Sequence, residues 1–453
     1  MKALDLIDAS ARIQALVARV FPAALCTLGA LVFLFIASAK ATPVPEDYEA
    51  PPEIAATQAL PAELASGTDF RVDDSVRSDG LMNHYSVQSR FGAFEVNGRA
   101  LLQIRIREIG ALAELERVSK SEVFLKAVGR SVTAPIETVV DVVQNPIGTV
   151  TGIPKGVANL FRTYMLKTRE ATSSTPREKK ADGTESAASG KDSAVMSEAE
   201  SYAQRYLGVS RAERRWYAKL GVDPYTTNQA LRSSVDKVAR IDATAEFGLR
   251  FAGIPSIAGI GVVRKGMDAI WREDPVVIRE RNRKFLSSIA IDKEEISRFE
   301  NNLSLSPTYQ LAILEMTRAL DGIDGRGELI HRAVEVASED ETLALVESIG
   351  LLVRLHQKTP LVEILGGIRL PAARTTDGRL VVCAGFESVY WTENVAEGGR
   401  GIEQAYRDAE VSERQIWLAG AGSLRVRAEL EKLGWKFFDR IDIVNDLAPQ
   451  NTQ

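Results

Sequence analysis

The sequence changes rhythm near residue 359, and that change limits the possible folds more than any single motif. From about 197 to 358 apolar residues recur at helical spacing. The helix boundaries there are well punctuated. Asp292 with Glu295, and Ser338 with Glu341, have the spacing of a capping box. Ser306-Pro307 puts a cap residue before a proline at the first helical position. Gly208, Gly221 and Gly322 follow expected helix ends. GVDPYTTN (221 to 228) reads as a turn, with Thr227 or Asn228 able to cap the next helix. After 359 the pattern alternates. GRLVVCAG, RQIWLAG and KFFDRI read as strands. TENVAEGGRGIEQAYRDAEV reads as a helix broken around its glycines, and SLRVRAELEKLGW as a second helix. Strand, helix, strand, helix, strand predicts a small α/β layer with parallel pairing.

The N-terminal part is built differently. Val20 to Ala39 carries no charge, Lys2, Arg12 and Arg19 precede it, and Ala39-Lys40-Ala41 matches a small-x-small cleavage site. Residues 1–41 therefore read as a secretory signal peptide, with an uncleaved N-terminal anchor as the alternative. Either predicts an extracytoplasmic protein of the periplasm or cell envelope. Residues 42–80 hold Pro43, Pro45, Pro51, Pro52 and Pro61 among acids and alanines, which predicts an extended spacer. Residues 81–165 read as a β-hairpin plus amphipathic helices. Asn97-Gly98 lies between AFEV and RALLQIRI, and Asn-Gly between strand-like runs signals a hairpin. Leu102, Ile104 and Ile106 would then share one strand face, although a helix from Ala100 also fits. From Arg107 the spacing of Ile109, Leu112, Leu115 and Val118 is helical. Residues 166–196 lack aromatics and predict a disordered linker. The expected layout continues with a helical domain at 197–358, a small α/β domain at 359–445 and a tail at 446–453. The fold class is α+β and mainly α-helical.

Ile136, Val140, Val143, Ile147, Val150, Val157 and Phe161 form an apolar stripe at spacings of three and four residues. Pro135, Pro146 and Pro154 interrupt it. A proline inside a helix costs about 3 kcal/mol, so each is expected to start a new short helix. The stripe is either core or a surface that docks on a protein partner or membrane. Its polar side is poor in basic residues, which weakens the membrane version. LRFAGIPSIAGIGVV (249 to 263) poses the same choice between tight helix packing and a membrane hairpin, and is too broken for a span.

Candidate chemistry is sparse. The net charge of -5 argues against a nucleic-acid partner. The three histidines, His84, His331 and His356, are far apart and have no ligand partner at metal spacing, so no metal or cofactor is expected. Gly420-Ala421-Gly422 follows an expected strand and opens an expected helix, where backbone amides can hold an anion. The dinucleotide fingerprint needs a third glycine where Arg425 stands. Gly420, Gly422 and Arg425 are thus the candidate ligand-binding residues, with Arg425 or Arg427 able to pair with a phosphate. Cys383 reads as a buried, inert thiol. The acids Glu294-Glu295 and Glu339-Asp340-Glu341 sit at helix starts, where the helix dipole accounts for them. Phe386, Tyr390, Trp391 and Trp417 give the third unit an aromatic concentration.

YAKLGVDPYTTNQALRSSVDKVAR (217 to 240) resembles the start of a J-domain co-chaperone, where a similar Leu-Gly turn links two helices. The His-Pro-Asp motif that carries that family's activity is absent from the following segment, so its function is not carried over. The expected function is that of a non-enzymatic envelope protein binding a partner or a membrane surface through the 134–161 stripe. The alternative is an extracytoplasmic enzyme or small-ligand binder with its site in the C-terminal α/β unit.

Overall fold

In the computed structural model of the protein, residues 47–122, 124, 209–240 and 264–441 are described. The expected leader at 1–41, the stripe at 134–161, the linker at 166–196, the run at 249–263 and the tail at 446–453 lie outside them. The chain divides into Met1–Tyr48 and Glu49–Gln453. The second of these units is mixed helix and sheet.

The region expected to be spacer is folded from Glu49 onward. Short strands β1 (Ile54–Ala55), β2 (Phe70–Val72) and β3 (Ser75–Ser78) join β4 (Asn83–Ser89) and β5 (Gly92–Asn97) in one antiparallel sheet. β2 and β3 share one edge of β4, and β5 takes the other. The Glu49 carboxylate accepts from the Trp391 amide (2.6 Å) and the Ser423 hydroxyl (2.6 Å). Pro51, Pro52 and Pro61 lie outside the strands, where the missing N–H is harmless.

The hairpin turns at Arg90-Phe91, not at Asn97-Gly98. Ser89 Oγ accepts from the Phe91 amide and donates to the Gly92 carbonyl, closing the loop. Gly98 does take a positive φ of 85°. That conformation serves a strand-to-helix junction, with the Gly98 amide donated to the Asn83 carbonyl at 2.8 Å. RALLQIRI is thus the start of the helix Arg99–Ser119, not a strand. Leu102, Ile109, Leu112, Leu115 and Val118 are buried along one face, against Tyr85, Val87 and Val96 of the sheet.

In the middle of the chain the cap residues act where their spacing predicts. Asn228 accepts from Leu231, Asp292 from Glu295, Ser306 from Tyr309 and Ser338 from Glu341. Each is worth about 1 kcal/mol of helix stability. Gly221 ends the helix Arg211–Leu220 in the left-handed region at φ 67°. The helix Glu339–Lys358 is buried along most of its length.

The C-terminal sheet has the strand order Lys436–Phe438, Glu413–Leu418, Arg379–Ala384, Ala372–Thr375, Leu361–Leu365. β8 (Arg379–Ala384), β10 (Glu413–Leu418) and β12 (Lys436–Phe438) are parallel, as the alternating pattern predicts. Two antiparallel strands, β6 (Leu361–Leu365) and β7 (Ala372–Thr375), extend the sheet beyond that expectation. The helix Glu393–Tyr406 runs unbroken through its glycines. At Gly399 an added Cβ would lie 3.2 Å from the Trp391 ring, so the glycine admits the indole. Among the described residues a large cluster of buried apolar side chains runs from Ala56 to Cys383. Cys383 is fully buried, and that burial pushes its thiol up.

Candidate functional site

A cleft of about 1180 Å³ opens where the helix Arg99–Ser119 meets the loops beyond β8 and β10. That is slightly larger than the usual range for small-molecule pockets, about 300–1,000 Å³. Arg99, Gln103, Ile106, Arg107 and Gly110 line it at helical spacing. Phe386, Glu387, Gly420 and Arg440 line it from the C-terminal side, and Glu347 from the helix Glu339–Lys358.

Glu387 organises this cleft. The helix Arg99–Ser119 begins at a glycine cap and carries no acid in its first turn. Glu387, distant in sequence, supplies the missing acceptor: its Oε2 takes the Arg99 amide at 3.1 Å. The helix dipole favours a carboxylate at that end. Glu387 Oε1 takes the Tyr85 hydroxyl and the Arg99 Nε, the latter at 3.3 Å. Asn83 Nδ2 donates to the Tyr85 hydroxyl at 3.2 Å, fixing the ring. Burial and the Glu387 charge push the Tyr85 hydroxyl up, so it remains a donor.

Glu347 is the unusual group. Its helix neighbours Leu343, Leu345, Val346, Ile349, Leu351 and Leu352 are all buried and apolar. The chain beyond β8 presses on the helix at this point. The Gly385 amide donates to Ser348 Oγ at 2.7 Å. A Cβ on Gly385 would lie 2.4 Å from the Ala344 carbonyl oxygen and 2.6 Å from the Glu347 Cβ, so only glycine fits. Glu347 is half-buried by surface because it lines the cleft, yet protein encloses it closely enough for burial to dominate its ionisation. Burial first, and the Glu387 charge second, push its carboxyl up to about 8, against the pull of Arg99. It makes no hydrogen bond or ion pair to any described residue. At neutral pH it is mainly a neutral acid facing the cleft, beside a carboxylate held by three donors. Two carboxyl groups with such different surroundings are suited to proton transfer.

The residues expected to bind an anion are only partly brought together. Gly420 lines the cleft, but its amide is donated to the Phe386 carbonyl at 2.9 Å. An added Cβ there would lie 1.9 Å from the Glu387 carbonyl oxygen, so the glycine permits close backbone crossing. Ala421-Gly422 is strand β11, paired in parallel with β9 (Ser388–Val389). The Gly422 amide donates to the Asp439 carboxylate at 3.1 Å, and Arg427 pairs with the same residue at 3.1 Å. The chain's own carboxylate thus sits where a bound anion was expected. Arg425 lies on the helix Leu424–Lys432, outside the cleft lining. The stripe residues Ile136 to Phe161 lie outside the described residues.

Among the other sequence candidates, His356 Nδ1 accepts from the Leu361 amide at 3.2 Å, and His331 contacts Glu295. Among the described residues no group of His, Cys, Asp or Glu is arranged to hold a metal ion. Nor is any described helix long and apolar enough to cross a membrane. Of the aromatic concentration, Phe386 reaches the cleft and Trp391 packs in the core. Sequence reasoning missed Glu347, Glu387, Tyr85 and Arg99. One signal for Glu347 was available: a lone acid in the otherwise apolar stretch LALVESIGLLV. The chain matches no protein-family model, no curated protein and no solved structure.

Proposed function

We propose that the protein is an extracytoplasmic small-ligand-binding enzyme that uses Glu347 as a general acid in the 1180 Å³ cleft. The observation that carries this reading is the Glu347 carboxyl, facing the cleft without a partner among the described residues, beside Glu387. In this role Glu347 gives its proton to a leaving or carbonyl oxygen of the bound ligand and regains one from water. Glu387, held by Tyr85 and Arg99, maintains the proton affinity of Glu347. The layout of three units belongs to the same proposal. The hairpin-plus-helices unit contributes Arg99, the helical domain Glu347, and the small α/β unit Glu387 and Gly420. The extracytoplasmic setting rests on the charge-free run from Val20 to Ala39. Docking of the 134–161 stripe on an envelope partner or membrane surface rests on residue spacing alone.

The test is turnover by the full chain of chromogenic esters, glycosides and phosphoesters. At least one class is expected to react, with a rate that falls as pH rises through about 8. Glu347→Gln is expected to lower that rate by about 10²–10⁴-fold. No turnover in any class, or turnover unchanged by Glu347→Gln, overturns the reading.

A further inference from the structure

We infer that the ligand of this cleft carries an anionic group, a carboxylate or a phosphate, bound by the guanidinium of Arg107 with Arg440 on the C-terminal side. This deepens the proposed function and rests on the cleft being a ligand site. Several arginines withdrawn from water have acid partners, Arg105 with Glu108 and Glu339, Arg332 with Glu328, and Arg369 with Glu335, while buried Arg214 donates to the Val209 carbonyl. Arg107 has neither kind of partner among the described residues. It is half-buried, lines the cleft, and makes no hydrogen bond or ion pair to any described residue. Burial works against its charge, and no carboxylate offsets that cost. A desolvated guanidinium without a counter-ion is a preformed anion receptor, with planar donors matched to carboxylate and phosphate oxygens.

Arg440 adds a second cation under backbone constraint. It sits in the left-handed region at φ 54°, which costs a non-glycine residue about 1–3 kcal/mol. The conformation is held by its own amide, donated to the Gly420 carbonyl at 2.6 Å. Its side chain also bonds no described residue. None of the acids of the cleft is bonded to either arginine. Asp69 is engaged by Arg90 and Glu387 by Arg99, while Glu347 is mainly neutral at pH 7. Glu63 lies on an exposed short helix. The lining holds three arginines, Arg99, Arg107 and Arg440, against the acids Glu63, Asp69, Glu347 and Glu387, so what marks Arg107 is its lack of an acid partner and not a net positive charge. Gln103, one turn from both Arg99 and Arg107, offers a neutral amide between them.

The experiment is a calorimetric titration of the full chain with inorganic phosphate, succinate and glucose. Phosphate or succinate is expected to bind the wild type, and binding by only one of them identifies which oxyanion is preferred. Arg107→Gln and Arg440→Gln should each weaken that binding about tenfold, in keeping with the loss of a charged hydrogen bond. Arg107→Lys should restore part of it. Unliganded melting of each variant serves as the check that it has folded. Lys432→Gln, which removes an exposed charge outside the cleft lining, should bind the anion as the wild type does, and the acid–base reading is judged by turnover and not by this binding. Glucose binding without anion binding, or anion binding indifferent to both arginines, overturns the inference and leaves the cleft as a ligand site. No binding by any probe overturns the inference, and if turnover is also absent the proposed function falls with it.

Discussion

Replacing Arg105 by methionine is expected to cost the fold about 3–5 kcal/mol. The guanidinium is nearly buried and joins three stretches of chain that are far apart in sequence. Its Nη1 donates to Glu108 at 2.8 Å on its own helix. Its Nη2 donates to Glu339 at 2.9 Å, at the start of the helix Glu339–Lys358, and to the Thr227 hydroxyl in the turn before the helix Gln229–Ala239. Glu108 in turn accepts from Asn228 Nδ2 at 3.1 Å and from the Thr226 hydroxyl. Burial works against the Arg105 charge, but Glu108 and Glu339 more than offset it. Methionine matches much of the volume and none of the charge, so two enclosed carboxylates would lose their cation. The cost comes from those stranded acids more than from the ion pair itself. Urea denaturation of the wild type and Arg105→Met measures it. A loss below about 1 kcal/mol would mean that this network is solvated and does not tie the helices together.

The second large effect is expected at alkaline pH, where Glu347→Gln should be more stable than the wild type. The folded Glu347 carboxyl titrates near 8, above its ordinary value of 4.5. A raised value means that the folded state holds the proton more tightly than the unfolded chain does. The resulting stability is fully present below the unfolded value and is lost as pH rises through about 8. Glutamine keeps a neutral group of the same shape at every pH. The two proteins should therefore be about equally stable near pH 4, and the variant should lead by up to about 4 kcal/mol at pH 9. Some pH dependence should survive in the variant. Asp223, enclosed and bonded to Thr308 and the Tyr225 amide, is pushed by burial to about 7 and contributes a slope of the same sign. Thermal melts of both proteins from pH 4 to 9 give the comparison. Parallel curves would contradict the account.

The helical part of this fold was legible because its signals are local. A cap such as Asp292, Ser306 or Ser338 acts on an amide three residues away, and Gly221 supplies its positive φ within one turn. The parallel strands β8, β10 and β12 were legible from their alternation with helices. Elsewhere local signals met tertiary competition. Asn97-Gly98 has the chemistry of a hairpin turn, but a helix follows it because Leu102, Ile109 and Leu112 have a sheet to pack against. Residues 49 to 80 have the composition of a spacer, yet Glu49 is bonded to Trp391 and Ser423 and the short strands lie on β4. The candidate site was the least legible part. The Tyr85–Glu387 bond closes across a sequence separation of 302 residues. Nothing in either neighbourhood announces the other. Gly420 was singled out as an anion binder and does line the cleft, where it serves as a crossing point for the Glu387 backbone.

The central claim is that Glu347 stays protonated at neutral pH, and its carboxyl carbon reports this directly. In full-length protein labelled with carboxyl-¹³C glutamate, the resonance lost in Glu347→Gln is assigned to this residue and followed with pH. The account predicts a midpoint near 8. A midpoint near the ordinary 4.5 would leave an ionised carboxylate in the cleft and remove the general acid on which the proposed function depends.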